Sequence, residues 1–283
     1  MFAVTGITGQ VGGVVAQTLL EAGHEVRAIV RNPAKADTWA ERGCDIRQAD
    51  LADQAALAAA LRGTEGVFLV LPPMFDPAPG FPEASRLIEA IRAAVLDASP
   101  GKLVCLSTIG AQVKRPSLLN QLGLMEQQLG ALPLPVTFLR AAWFMENAAQ
   151  DVQSARQGLV SSFLQPLDQG FPMVAVADIG RLAAELLQAS WSGQRFVEFT
   201  GPADVSPTDI ATAFSNVLGH PVRVEAIPRA DWEIRFRSQG MRNPTPRAQM
   251  LDGFNQGWIA FEATPQRGGT TIDMVLAELA RSQ

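Results

Sequence analysis

Short runs of consecutive apolar residues alternate with longer amphipathic stretches through the first half of the chain, the pattern of repeated strand–helix units. Phe2 to Val4 reads as a buried strand, Val11 to Glu21 as an amphipathic helix and Glu25 to Val30 as a second strand. Helical Ala34 to Glu41, extended Asp45 to Gln48, and an Ala/Leu-rich helix N-capped by Asp53 and running to Leu61 follow. Val67 to Leu71 is a fully buried strand and Glu83 to Leu96 a helix; Leu103 to Leu106 and Val136 to Leu139 add two strands, with Leu122 to Leu129 helical between them. Parallel strands need such crossovers, and right-handed crossovers place helices on both faces of the sheet. The pattern predicts an α/β fold, a doubly wound parallel sheet.

Beyond Asn147 the pattern loosens. Val174 to Val176 reads as a strand, Asp178 as the cap of a helix ending at Leu187, and Phe196 to Phe199 as a last strand of the sheet. A helix from Thr208 to Leu218 and an extended Val222 to Ile227 then belong to a small C-terminal α/β lobe. The expected division is residues 1–150 as the cofactor domain, with 172–200 returning to its sheet, and 201–283 as a substrate lobe. With 47% hydrophobic and 18% charged residues, the chain has material for a large core. A net charge of −5 argues against a nucleic-acid binder, and no apolar run is long enough for a membrane span. No leader-like segment opens the sequence, so a cytoplasmic location is expected. Two cysteines, Cys44 and Cys105, and two histidines, His24 and His220, give no clustered spacing for a metal, and no metal site is expected.

Gly6-Ile7-Thr8-Gly9-Gln10-Val11-Gly12 lies between the first strand and the first helix, where a doubly wound fold of the Rossmann type holds a dinucleotide pyrophosphate. Gly6 permits the tight turn, Gly9 lets the backbone approach the phosphates, and Gly12 allows close helix-to-strand packing. Thr8, Gln10 and Val11 complete the loop, whose free N–H groups at the helix start face the anion. Gly13 and Val14 stand where an NTPase phosphate loop would need Lys and Ser or Thr, so that class is excluded. At the end of the second strand, where NAD-type folds present a carboxylate to the ribose, the chain carries Arg31. Arg31-Asn32-Pro33, with Lys35 on the next turn, forms a cationic pocket suited to the 2′-phosphate of NADP(H). Asp50 and Leu51 follow the third strand, beside the expected adenine; the competing role for Asp50 is that of a turn residue.

These residues resemble the NmrA-like branch of atypical short-chain dehydrogenase/reductases, a branch that includes bacterial NADPH-dependent quinone reductases and ergot-alkaloid-type reductases. The resemblance is carried by Val4-Thr5-Gly6 to Gly12, Val30-Arg31-Asn32-Pro33-Ala34-Lys35, Arg47-Gln48-Ala49-Asp50 and Leu139 to Asn147. It implies that Leu71, Pro72 and Ser107 border the ribose and nicotinamide, and that Trp143, Phe144 and Asn147 line the nicotinamide and substrate side. Gln127, also on the substrate side, stands after Glu126 where the branch's quinone reductases carry a lysine. The chain contains no tyrosine, so the Tyr-acid mechanism of ordinary members of the superfamily is impossible.

Two functions follow from this set. One is an NADPH-dependent reductase passing hydride to a small electron-poor acceptor of the quinone, dye or imine type; no catalytic residue is assigned. The other is a non-catalytic NADP(H)-binding redox sensor acting through protein partners. An apolar pocket beside the nicotinamide separates them, since only the enzyme requires one. Arg229, Arg235, Arg237, Arg242 and Arg247, interleaved with Trp232 and Phe236, suit an interaction surface, an anionic-substrate gate or a solvated surface partly paired with Asp231 and Glu233, and the last is expected. The substrate and the oligomeric state are left open.

Overall fold

The structure, a computed structural model, describes residues 1–282. In chain order its first half contains β1 (Phe2–Thr5), α1 (Gln10–Glu21), β2 (Val26–Val30), α2 (Asp37–Glu41), β3 (Asp45–Gln48), α3 (Gln54–Leu61), β4 (Gly66–Leu69), α4 (Pro82–Ala98), β5 (Leu103–Thr108), α5 (Asn120–Gly130) and β6 (Val136–Ala141). The second half contains β7 (Trp143–Phe144), α6 (Val152–Ala155), β8 (Leu159–Ser162), β9 (Met173–Val174), α7 (Val176–Gln188), β10 (Gln194–Thr200), α8 (Pro207–Leu218), β11 (Arg223–Ala226), α9 (Trp232–Ser238), α10 (Thr245–Asn255), β12 (Gln266–Arg267) and α11 (Ile272–Ser282).

Eight strands form one parallel sheet in the order β12-β10-β6-β5-β4-β1-β2-β3, the doubly wound Rossmann-type arrangement that the apolar pattern predicts. The central strands are buried on both faces, which is why FAVT, GVFL and LVCL read as unbroken apolar runs rather than alternating ones. On one face α1 turns Val11, Val15 and Leu19 inward at helical spacing, and α7 packs beside it through Ile179, Ala183 and Leu187. On the other face α3, α4 and α5 cover the sheet with Leu57, Ile88, Ile91, Met125 and Leu129. The strand order reverses between β1 and β4, and such a switch point opens a crevice at the carboxyl ends of the strands.

A separate apolar cluster packs residues 145–175 against 205–276, with β8 and β11 pairing in parallel at its centre. Among the described residues no helix is long and apolar enough to cross a membrane, and no group of His, Cys, Asp or Glu is placed to hold a metal ion.

Three local expectations are corrected. The stretch Ala34 to Glu41 is broken into a 3-10 turn, Pro33–Lys35, and the short α2, because the Asn32 side chain accepts the Ala34 N–H at 3.1 Å and closes a tight turn. Val176 begins α7 rather than ending a strand. Asp178 does not cap that helix: the Val176 N–H donates to the Glu146 carboxylate at 2.9 and 3.0 Å, while Asp178 accepts from the Thr270 N–H and hydroxyl, each at 2.8 Å. An acidic residue in a first turn satisfies the same sequence signal whether it caps its own helix or anchors a distant segment.

Candidate functional site

Gly6 holds a φ of +62°, which turns the chain sharply from β1 into α1. A Cβ on Gly12 would overlap the Gly6 carbonyl oxygen, so only glycine lets the helix start this close to the strand. Gly9, with extended backbone at the N-cap, has no side-chain partner for the first N–H groups of the helix, and a Cβ there would stand 3.2 Å from the Gly6 carbonyl oxygen and otherwise face open space. The open side of that turn is a cavity of about 760 Å³. The Thr5 hydroxyl shapes its floor by donating to the Phe68 carbonyl at 3.1 Å and accepting from the Val70 N–H at 3.0 Å, which ties β1 to β4 at the switch point.

This cavity brings together Gly6, Thr8, Gly9, Gln10, Val11 and Gly12, then Arg31, Asn32 and Lys35, then Asp50, Leu51, Leu71 and Pro72. Four segments far apart in sequence therefore converge at the carboxyl edge of one sheet. Arg31 and Lys35 are exposed, and neither forms an ion pair among the described residues. The Asp50 carboxylate accepts the Ala52 N–H at 2.9 Å, the turn role, while its residue also lines the cavity. Apart from Thr5, the lining that the sequence reading did not assign, Ile29, Val30, Ala49, Val70, Pro73, Leu87 and Leu106, carries no polar signal and becomes recognisable only once the strands are side by side.

Ser107 is elsewhere. It is buried, and its hydroxyl donates to Glu126 at 2.6 Å. Glu126 accepts two further bonds, from Arg140 Nε at 2.9 Å and from Arg140 NH2 at 2.8 Å. Burial opposes the charge of Arg140, but the hydrogen bonds and attraction of Glu126 and Glu262 outweigh it and raise its pKa. Ser107 thus belongs to a buried ion-pair cluster, and it does not line the first cavity. Gln127 is exposed and lines a different, shallow cavity with Lys114, Arg140 and Phe196, away from Trp143 and Asn147.

A second cavity, of about 460 Å³, adjoins the first. Phe144 lines both. Trp143, Asn147 and Thr108 line the second, with Met173, Met250 and Phe254, and Trp143 packs edge-on against Phe254 at 5.3 Å between ring centroids. Glu146 fixes the segment that carries Trp143 and Phe144 by holding the start of α7, and β7 pairs with β9.

Two ionisable groups line this cavity, of which Asp151 escaped the sequence reading. Burial pushes the Asp151 carboxyl up to about 7. Arg247, expected on a solvated surface, is half-buried and faces the cavity, and burial lowers its pKa. Its neighbours in sequence do pair: Arg229 bonds Asp252, not Asp231, at 2.7 and 2.8 Å, and Arg237 reaches Glu233 at 4.0 Å. Nothing local in the sequence separates Arg247 from them, because its burial is made by α9 and the loop around Phe75.

The NAD(P)H azoreductase of Xenophilus azovorans is 31% identical over 243 residues, 85% of this chain and 82% of that protein. Quinone oxidoreductase 2 of Escherichia coli (strain K12) is 29% identical over 254 residues, 89% of this chain and 85% of its own length. The fold also superposes on the Citrobacter sp. triphenylmethane reductase complexed with NADP(H), with a TM-score of 0.82 at 20% identity and 99% of both chains covered. A model of the NmrA-like family matches residues 1–236, and the chain belongs to that family.

Proposed function

We propose that the chain is an NADPH-dependent reductase that delivers hydride to a small electron-poor acceptor of the quinone, dye or imine type. The observation that carries this reading is the meeting of two cavities at Phe144, one lined by a glycine turn and two free cations, the other by aromatic and sulfur-bearing side chains. The relatives named for NAD(P)H-dependent azo and quinone reduction support the same reading. The cofactor is NADP(H). The residues present fit it: Gly9 leaves room for a pyrophosphate that a Cβ would occupy, the uncapped N–H groups of α1 suit an anion, and Arg31 with Lys35 suits a 2′-phosphate.

When bound, the dihydronicotinamide supplies a hydride. The protein's share is positioning. Leu71 and Leu106 give the floor of the first cavity an apolar surface, and Phe144 closes it toward the second. Trp143 and Phe254 offer flat apolar walls to a planar acceptor and exclude water from its faces. No tyrosine acid exists in the chain, so acceptors that carry their own electron sink are favoured over unactivated ketones. A sensor without turnover has no need of the second cavity.

The test is NADPH oxidation against quinones, azo and triarylmethane dyes and cyclic imines. Steady turnover with at least one is expected, and Trp143→Ala should lower kcat/KM for it by roughly tenfold or more while NADPH affinity stays within about twofold, because Trp143 lines only the acceptor cavity. Tight NADPH binding with no oxidation by any of these compounds would replace the reductase reading by the sensor.

A further inference from the structure

Among the described residues the acceptor cavity has one basic lining residue, Arg247. Its guanidinium carbon lies 4.5 Å from the ring centroid of Phe236 and 6.0 Å from that of Phe75, and no carboxylate or carbonyl oxygen partners it. Asp151, the one carboxylate lining the same cavity, makes no ion pair with it.

Three features leave the guanidinium charge of Arg247 without a full partner among the described residues. Burial strips water from the guanidinium, which lowers its pKa. The two rings attract a cation but have no lone pairs in which its N–H groups could find a full hydrogen bond. Arg247 is also the third residue of α10, whose N-terminus has no side-chain cap. Free N–H groups give that end of a helix a positive partial charge, so a cation in the first turn is repelled. An anion in the cavity would relieve all three at once.

We infer that the second cavity is built for an aromatic acceptor bearing an anionic substituent, of the carboxylate or sulfonate class, with Arg247 as the residue that holds the charge. The word acceptor rests on the reductase reading above; binding of the anion does not. The guanidinium fork can give two N–H bonds to two oxygens of such a group, and charge-assisted pairs of this kind are stronger than neutral ones. Trp143 and Phe254 take the ring system, so the anion anchors one end of a flat molecule whose body lies toward Phe144.

The experiment compares 1,2-naphthoquinone with 1,2-naphthoquinone-4-sulfonate as oxidants of NADPH in wild type, Arg247→Gln and Arg247→Lys. The two quinones differ in intrinsic reactivity, but that difference is common to all three proteins and cancels in the ratio of their kcat/KM values. The ratio, sulfonated over neutral, should fall by about tenfold or more in Arg247→Gln and by less in Arg247→Lys, which keeps a charge but loses the fork. In parallel, calorimetry of 2-naphthalenesulfonate, which accepts no hydride, into NADP-saturated protein should show an affinity about tenfold or more weaker in Arg247→Gln. Circular dichroism establishes that the variants are folded. An unchanged ratio together with unchanged naphthalenesulfonate binding overturns the anion site and leaves the reductase reading standing. Arg247-dependent binding of naphthalenesulfonate, with neither quinone reduced, sustains the anion site and removes the reductase reading.

Discussion

Arg31 and Asp151 show how differently single residues can be read. Arg31 was legible because its meaning depends on a short spacing: the end of the second strand, one helix beyond a glycine turn. The structure places it in the same cavity as Gly9 and Lys35. A charged hydrogen bond contributes roughly 1.5 to 3 kcal/mol, so Arg31→Ala should weaken NADPH binding by about ten- to a hundredfold and NADH binding by far less. Fluorescence titration of both cofactors checks this, and equal losses for the two would contradict a 2′-phosphate contact. Asp151 was illegible, because its neighbourhood is built by residues 160–164, 207–210 and 224, none of which is near it in sequence. Its carboxyl releases a proton near 3.8 in an ordinary setting and near 7 when buried here. Between those values the folded protein holds a proton that the unfolded chain has lost, so stability falls as pH rises through that window. At about 1.4 kcal/mol per pK unit, the loss is of the order of 4 kcal/mol by pH 8. Asp151→Asn removes it: denaturant midpoints of variant and wild type should diverge between pH 4 and pH 8, the variant gaining, and parallel curves would show that the carboxyl is not the cause.

At the scale of elements, α1 and the turn before it separate packing from binding. A Cβ on Gly12 would overlap the Gly6 carbonyl and the Ile7 N–H, whereas one on Gly9 would meet only the Gly6 carbonyl oxygen, at 3.2 Å, and otherwise face the cavity. Gly12→Ala should therefore destabilise the fold by about 1 to 3 kcal/mol through overpacking, visible as a lower melting temperature. Gly9→Ala should keep that temperature within a few degrees and lose NADPH affinity; the reverse pattern would mean the phosphates lie elsewhere. The central strands of the main sheet could be read because burial on both faces makes them uninterrupted apolar runs, whereas the exposed edge strand β12, QR, offers no such signal. Cap assignments around α7 could not, since the carboxylate that satisfies its first N–H comes from Glu146, thirty residues upstream, which the pairing of β7 with β9 sets beside it. Ser107 failed for a related reason: a hydroxyl at a strand end can face the crevice or the adjacent helix, and Glu126 on α5 draws it to the helix.

At the scale of the molecule, the loop that follows β4 is tied to the far segment by one carboxylate. Asp76 accepts the N–H groups of Arg242, at 2.9 and 3.0 Å, and of Asn243, at 2.6 Å. These donors hold its pKa below the ordinary carboxylate value, so the tie persists through neutral pH. Phe75, beside it, lines the acceptor cavity next to Arg247. Asp76→Ala should raise KM for the acceptor by roughly three- to tenfold and leave NADPH affinity unaltered, because Phe75, the residue next to the tie, lines the second cavity and not the first; steady-state kinetics with each reactant varied in turn would reveal a shared effect if the loop, whose Pro72 and Pro73 line the first cavity, governed both. The partition of the space into two chambers with a common residue, Phe144, gives the proposed reductase a kinetic signature. On that proposal reductant and oxidant take separate chambers, so neither has to leave before the other arrives. Double-reciprocal plots should then converge, the signature of a ternary complex, and the oxidised cofactor should inhibit competitively against NADPH alone. A protein in which both reactants used a single chamber in turn would give parallel lines.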